Sequence, residues 1–140
     1  MSLMRSVTGR GAAVALALLT AAGPAPASAL PPLSKNDYVV ERLLAGRVAD
    51  RIRTLCPEIS PRMVRAYMEL RALKKWAVGQ GYAAGDIDAF VKDGAAKAVL
   101  KARAEAYMAA NGASDADGAC ALGRAEIAKG SLIGNLLYEN

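Results

Sequence analysis

Apolar positions recur from Leu44 through Val48, Ile52 and Leu55, with Ala45, Ala49 and Cys56 beside them. Arg42, Arg47, Asp50 and Arg53 fall on the other side. Spacings of three and four predict an amphipathic helix facing a core. Ser34, with Asp37 three residues on, resembles a capping box that starts it. Pro57 disfavours helical geometry in the residue before it, so the helix ends at Cys56. Ser60-Pro61 reads as a fresh start, serine as N-cap and proline as the first helical residue. The second helix runs to about Val78, with Met63, Ala66, Tyr67, Leu70, Leu73 and Ala77 on its core face, and Gly79-Gln80-Gly81 stops it.

The third stretch, Asp86 to Asn111, changes face at Gly94. Ile87, Phe90 and Val91 form one apolar face before it, and Ala96, Val99, Leu100, Tyr107 and Ala110 another after it. That rotation at a glycine predicts two segments or a kink. Asn111-Gly112 is a stop. Asp115 or Asp117 caps a fourth helix through Cys120, Leu122, Ile127 and Ala128, ended by Gly130. Ser131 then begins a short terminal helix with Leu132, Ile133, Leu136 and Leu137. No run alternates as a strand does. The fold class expected is all-α: a small compact bundle of four main helices plus a short C-terminal helix. Its packing is expected around the Leu44/Ile52, Tyr67/Leu70 and Val99/Tyr107 stripes.

The first residues follow another logic. Arg5 and Arg10 precede the apolar run Gly11–Ala22, then Gly-Pro-Ala-Pro and Ala27-Ser28-Ala29. A charged start, a short apolar run and small residues at a cut predict a secretory signal peptide over residues 1–29. The run is too short for the roughly 20 residues that span a bilayer, and no cysteine stands at the cut to take a lipid. A single helical domain, residues 30–140, is what remains. It is expected to be exported, periplasmic or secreted, with no membrane span after cleavage.

Removing Arg5 and Arg10 also leaves 16 basic against 13 acidic residues, a net charge of +3. Lys35 to Lys75 holds ten basic and five acidic residues, whereas Trp76 to Asn140 holds six and eight. The basic set is Arg42, Arg47, Arg51, Arg53, Arg62, Arg65, Arg71, Lys74 and Lys75. For an exported protein such a surface suits anionic lipid, glycan or another protein rather than nucleic acid. Arg47 and Arg51, one helical turn apart, are the candidate partner-binding residues. Against this, the nine do not share one helix face, which is also the pattern of a solvated surface.

The chain's two cysteines, Cys56 and Cys120, are expected to pair, because exported cysteines form disulfides. No Cys-x-x-Cys motif points to redox catalysis. With no histidine in the chain, zinc and copper sites lack their usual ligands, and serine lacks its usual base. Asp86, Asp88 and Asp93 lack the spacing and closing glutamate of a calcium loop and read as helix-capping acids. A carboxylate pair drawn from Glu58, Glu69, Glu105 and Glu126 would suit a hydrolase, but no spacing selects one. No catalytic residue, metal or cofactor is therefore assigned.

Leu30-Pro31-Pro32-Leu33-Ser34, Asp50-Arg51-Ile52-Arg53, Cys56-Pro57 and Ile59-Ser60 carry a resemblance. So do Cys120, Leu122-Gly123-Arg124, Glu126-Ile127, Gly130-Ser131, Ile133-Gly134 and Leu136-Leu137. Together they resemble an uncharacterised domain-of-unknown-function family of small exported bacterial helical proteins with two cysteines. The resemblance implies the architecture and no activity. The expected function is a non-catalytic exported binding or accessory module in the cell envelope, its partner an acidic envelope component or a protein. The alternative is a small carboxylate-dependent hydrolase.

Overall fold

The chain is organised around α1 (Asp37–Leu55), which packs most extensively on α4 (Gly94–Ala110) and then on α5 (Ala116–Lys129). The computed structural model describes Gly23 and residues 29–140; the export signal read at residues 1–29 otherwise lies outside the described residues. The helices α2 (Met63–Gln80) and α3 (Asp86–Lys92) complete a mostly helical fold. Among the described residues no helix is long and apolar enough to cross a membrane.

The N-cap of α1 is Asn36, not Ser34: its side chain accepts from the Val39 amide. Ser34 lies in a short 3₁₀ turn, Leu33–Lys35. Asn36 also donates to the Tyr82 hydroxyl at 3.1 Å, and that hydroxyl donates to the Pro31 carbonyl at 2.7 Å. One cap thus ties the extended leader to the loop after α2. The helix ends at Cys56, as Pro57 requires.

Three expectations are corrected. Ser60-Pro61 does not cap α2; both belong to a short strand, β1 (Ile59–Pro61), antiparallel to β2 (Leu137–Glu139), with Ser60 opposite Tyr138. Strands of three residues are too short to show an alternating pattern, and a pairing across the whole domain leaves no local signal. The terminal segment is a 3₁₀ turn, Gly134–Leu136, leading into β2. The Tyr67/Leu70 and Val99/Tyr107 stripes hold only in part: Leu70 and Tyr107 pack against the core, but Tyr67 is 60% exposed and Val99 52%.

Two apolar clusters hold the elements together. In the larger, Val48, Ala49 and Ile52 of α1, with Cys56 just past its end, meet Ala104 and Met108 of α4, Cys120 and Leu122 of α5, and Ile59 and Leu137 of the strands. The stripe of α4 is Ala96, Leu100, Ala104 and Met108, every fourth residue, and its alanines bring the helix axis close to α1. Asp93 breaks the chain between α3 and α4 and caps α4, its carboxylate accepting from the Ala96 amide at 2.7 Å. The second cluster joins Leu33 and Val39 to Leu73, Ala77 and Ile87.

Candidate functional site

The buried side chains of α2 lie in its C-terminal half. Its start is tied to the chain end by Arg62, whose amide donates to the Leu136 carbonyl at 2.8 Å and whose Nε donates to the Leu137 carbonyl at 2.9 Å. Leu73 and Ala77 are buried, and Trp76 stacks on Tyr38 of α1 with ring centroids 4.2 Å apart. The Arg42 guanidinium sits 3.4 Å from the Tyr38 ring centroid, a cation–π contact. Towards its start, α2 leaves Met63 (67%), Val64 (78%), Tyr67 (60%) and Met68 (55%) exposed. The periodicity of α2 offers more apolar positions than the contacting surface of α1 covers.

Between α1 and α2 runs a groove of about 280 Å³ with Leu43, Gly46, Leu70, Leu73 and Leu136 among its walls. Arg42, Arg47, Asp50 and Glu69 also line it. Arg47 therefore shares this groove with Ala66, Glu69 and Leu70 of α2. Arg51 serves elsewhere: its Nε lies 3.1 Å from Glu105 Oε1 on α4, an ion pair without hydrogen-bond alignment. The two arginines adjacent in helical spacing thus face different neighbours. A Cβ added at Gly46 would meet nothing within 4 Å. Gly46→Ala is therefore expected to stabilise the fold by about 1 kcal/mol, through helix propensity and a less flexible unfolded chain. A higher denaturant midpoint would show it, and a lower one would mean that α1 and α2 approach more closely.

Cys56 and Cys120 form a disulfide with Cα atoms 5.1 Å apart. The side-chain ligand atoms of Glu58 and the two cysteines lie within 4.8 Å of one another. Both sulfurs are consumed by the crosslink, however, and Glu58 is ion-paired to Arg124, which also binds Glu139 at 2.6 Å. Arg124 of α5 thus fastens the turn after α1 to β2.

Among the described residues the buried charged group is Glu126, 1% exposed. Its carboxylate accepts from the Tyr107 hydroxyl at 2.6 Å, from Lys129 Nζ at 3.0 Å and from the Ser131 hydroxyl. Ser131 Oγ in turn accepts from the Gly134 amide at 3.0 Å. Burial alone would raise the Glu126 pKa. The hydrogen bonds from Ser131, Tyr107 and Lys129, with the Lys129 charge, outweigh it and hold the group below its ordinary value. In the same arrangement the Tyr107 pKa is pushed up to about 12, first by its hydrogen bond to Glu126, then by burial and the carboxylate's charge. Gly134 is required here, because any Cβ would overlap the Glu126 carbonyl.

The four glutamates singled out by sequence are dispersed in role. Glu58 and Glu105 are held by Arg124 and Arg51, Glu69 lines the α1–α2 groove beside Asp50, and Glu126 is buried. Asp50 is itself bound by Arg53 at 2.6 Å. Glu41 lies on the rim of a hollow of about 300 Å³ that Glu126 also lines.

Residues 31–138 match a family model described as a family of unknown function, DUF5333. The chain belongs to DUF5333. No curated protein and no solved structure matches it. The DUF5333 match spans both cysteines, the whole of α2 and the Glu126 cluster, so these features belong to the family domain. Glu126 was legible in principle: it follows Leu122 by four residues on the buried face of its helix. A carboxylate at such a position must find donors.

Proposed function

We propose that this DUF5333 chain is an exported, non-catalytic binding module of the cell envelope that holds an acidic partner on its α1–α2 side. The observation that carries the reading is the exposure of Met63, Val64, Tyr67 and Met68 beside Arg62, Arg65 and Arg71, with Arg47 in the neighbouring α1–α2 groove. Contiguous exposed apolar side chains with a polar rim mark interaction surfaces, and the basic rim selects for an acidic partner. The residue 1–29 pattern and the disulfide support export.

The hydrolase alternative has less behind it. It needs a carboxyl whose pKa is raised in a cleft. Glu126 is shifted the other way, and its oxygens are taken by three donors.

The test is capture of envelope components on the immobilised chain at low and high ionic strength. Retention is expected at low salt only, and to fall by about tenfold or more in Arg47→Glu/Arg65→Glu. Arg51 is left in place, because reversing it would set two acids together at Glu105. Retention that ignores both salt and the double reversal would leave the basic surface as a solvated face.

A further inference from the structure

The outward strip of α2 has a composition that packing does not explain. At 3.6 residues per turn, Val64, Tyr67, Met68, Arg71, Lys75 and Val78 fall within about 100° of helix circumference. They lie opposite the buried Leu73 and Ala77. Val64 is 78% exposed, Met68 55% and Val78 50%, and Arg71 and Lys75 are exposed as well. No carboxylate lies in the strip; Glu69, the sole acid of α2, lines the groove towards α1.

The strip faces away from the core, with only Val64 and Met68 bordering an open hollow beside Arg62, Arg65 and Tyr138, so a partner touching all of it presents a broad surface. A second copy of this chain, docked strip to strip, would bring Arg71 and Lys75 against their own kind. We propose that the strip docks on the anionic surface of a lipid bilayer, a deepening that rests on the binding-module reading above. Val64, Tyr67, Met68 and Val78 enter the headgroup–acyl boundary, and Arg71 and Lys75 lie at the phosphates. Long basic side chains suit that place, because their stems bury along apolar surface while the charge stays at the headgroups. Apolar area and attraction to anionic lipid together set the strength of such surface binding. Docking leaves α2 lying on the bilayer, which agrees with the absence of a membrane-crossing helix among the described residues.

The experiment is flotation of the full chain and its variants with two kinds of vesicle. One is phosphatidylcholine alone and the other phosphatidylcholine mixed with phosphatidylglycerol. Any contribution of residues 1–29 is common to every variant. Binding to the mixed vesicles that weakens with salt is expected. Arg71→Gln/Lys75→Gln is expected to weaken it about 30-fold, roughly fivefold per cation removed. The same charge change on α4, Lys97→Gln/Lys101→Gln, should alter it by no more than about twofold on the same scale. Val64→Ser/Met68→Ser should also weaken it, with the helical circular dichroism unchanged because both side chains are exposed. Equal binding to neutral vesicles, or equal binding by the Arg71/Lys75 and Lys97/Lys101 variants, overturns the proposal. Soluble poly-glutamate held as tightly as the mixed vesicles, with the serine pair without effect, would assign the strip to an acidic protein and overturn the lipid docking. Vesicles left unbound while envelope proteins are captured in a salt-sensitive way would overturn the lipid docking and leave the binding-module reading standing.

Discussion

Replacing Cys56 and Cys120 together by alanine is expected to lower the unfolding free energy by about 4 kcal/mol. The two residues are 64 apart in sequence, and their crosslink joins the end of α1 to α5. Cutting it frees a long loop in the unfolded chain, and the entropy returned grows with the logarithm of loop length. Single domains of this size have roughly 5–15 kcal/mol in all, so the variant should be only marginally folded. Alanine is the informative substitute, because both sites are buried and serine would add the cost of enclosing a hydroxyl. Urea unfolding should show a lower midpoint and a steeper dependence on denaturant, since the uncrosslinked chain exposes more surface. An unchanged midpoint would mean that packing of Ile52, Ile59, Met108 and Leu137 alone sustains the fold.

Glu126→Ala is expected to cost about 3 kcal/mol. The loss comes from leaving the half-buried Tyr107 and Ser131 hydroxyls without their acceptor and from emptying the buried site that the carboxylate fills. Lys129 is exposed and free to turn to water. The Ser131–Gly134 turn leads directly into β2, so its loosening should also unseat the strand pairing of Ile59 with Glu139. Glu126→Gln keeps the shape and removes the charge, which isolates the pH dependence. The folded-state pKa of Glu126 is depressed. Its contribution is therefore fully present above the unfolded glutamate value of about 4.3, and is lost as pH falls through the folded value. The advantage of the wild type over Glu126→Gln should shrink through that acid window.

Tyr107 behaves in the opposite sense. Its folded pKa is raised to about 12, so its contribution is intact below the unfolded value near 10 and disappears as pH climbs from there through the folded value. Tyrosinate absorbance should show one late-titrating tyrosine in the wild type, absent in Glu126→Ala. A loss below about 1 kcal/mol with an unaltered acid limb would reduce the cluster to a surface-like contact.

Pro57 ended α1 at Cys56 as read, and Gly81 and Gly130 end α2 and α5 in left-handed geometry. Each stop is a local backbone rule, readable from one or two residues. The break before α4 was visible as a rotation of the apolar face, although its cap proved to be Asp93. The caps were less legible, because Ser34 and Asn36 compete within one turn. Asn36 prevails with a side chain that binds both the Val39 amide and Tyr82, 46 residues away. The candidate surface was legible only as a charge bias. Which of its arginines stand free depended on Glu105, on another helix, holding Arg51.

Helix periodicity, the proline and glycine stops and the two cysteines were determined by the sequence itself, because each acts through near neighbours or through residue chemistry alone. The tertiary structure decided which apolar positions are covered. The periodicity reading puts Met63 and Tyr67 on one face with Leu73 and Ala77, yet only the latter are buried. Burial is a property of the two surfaces in contact, and α1 offers α2 a short one. The β1–β2 pairing and the Glu126 cluster were decided in the same way. Their partners stand far apart in the chain or on separate elements, and only folding brings the donors and acceptors within reach.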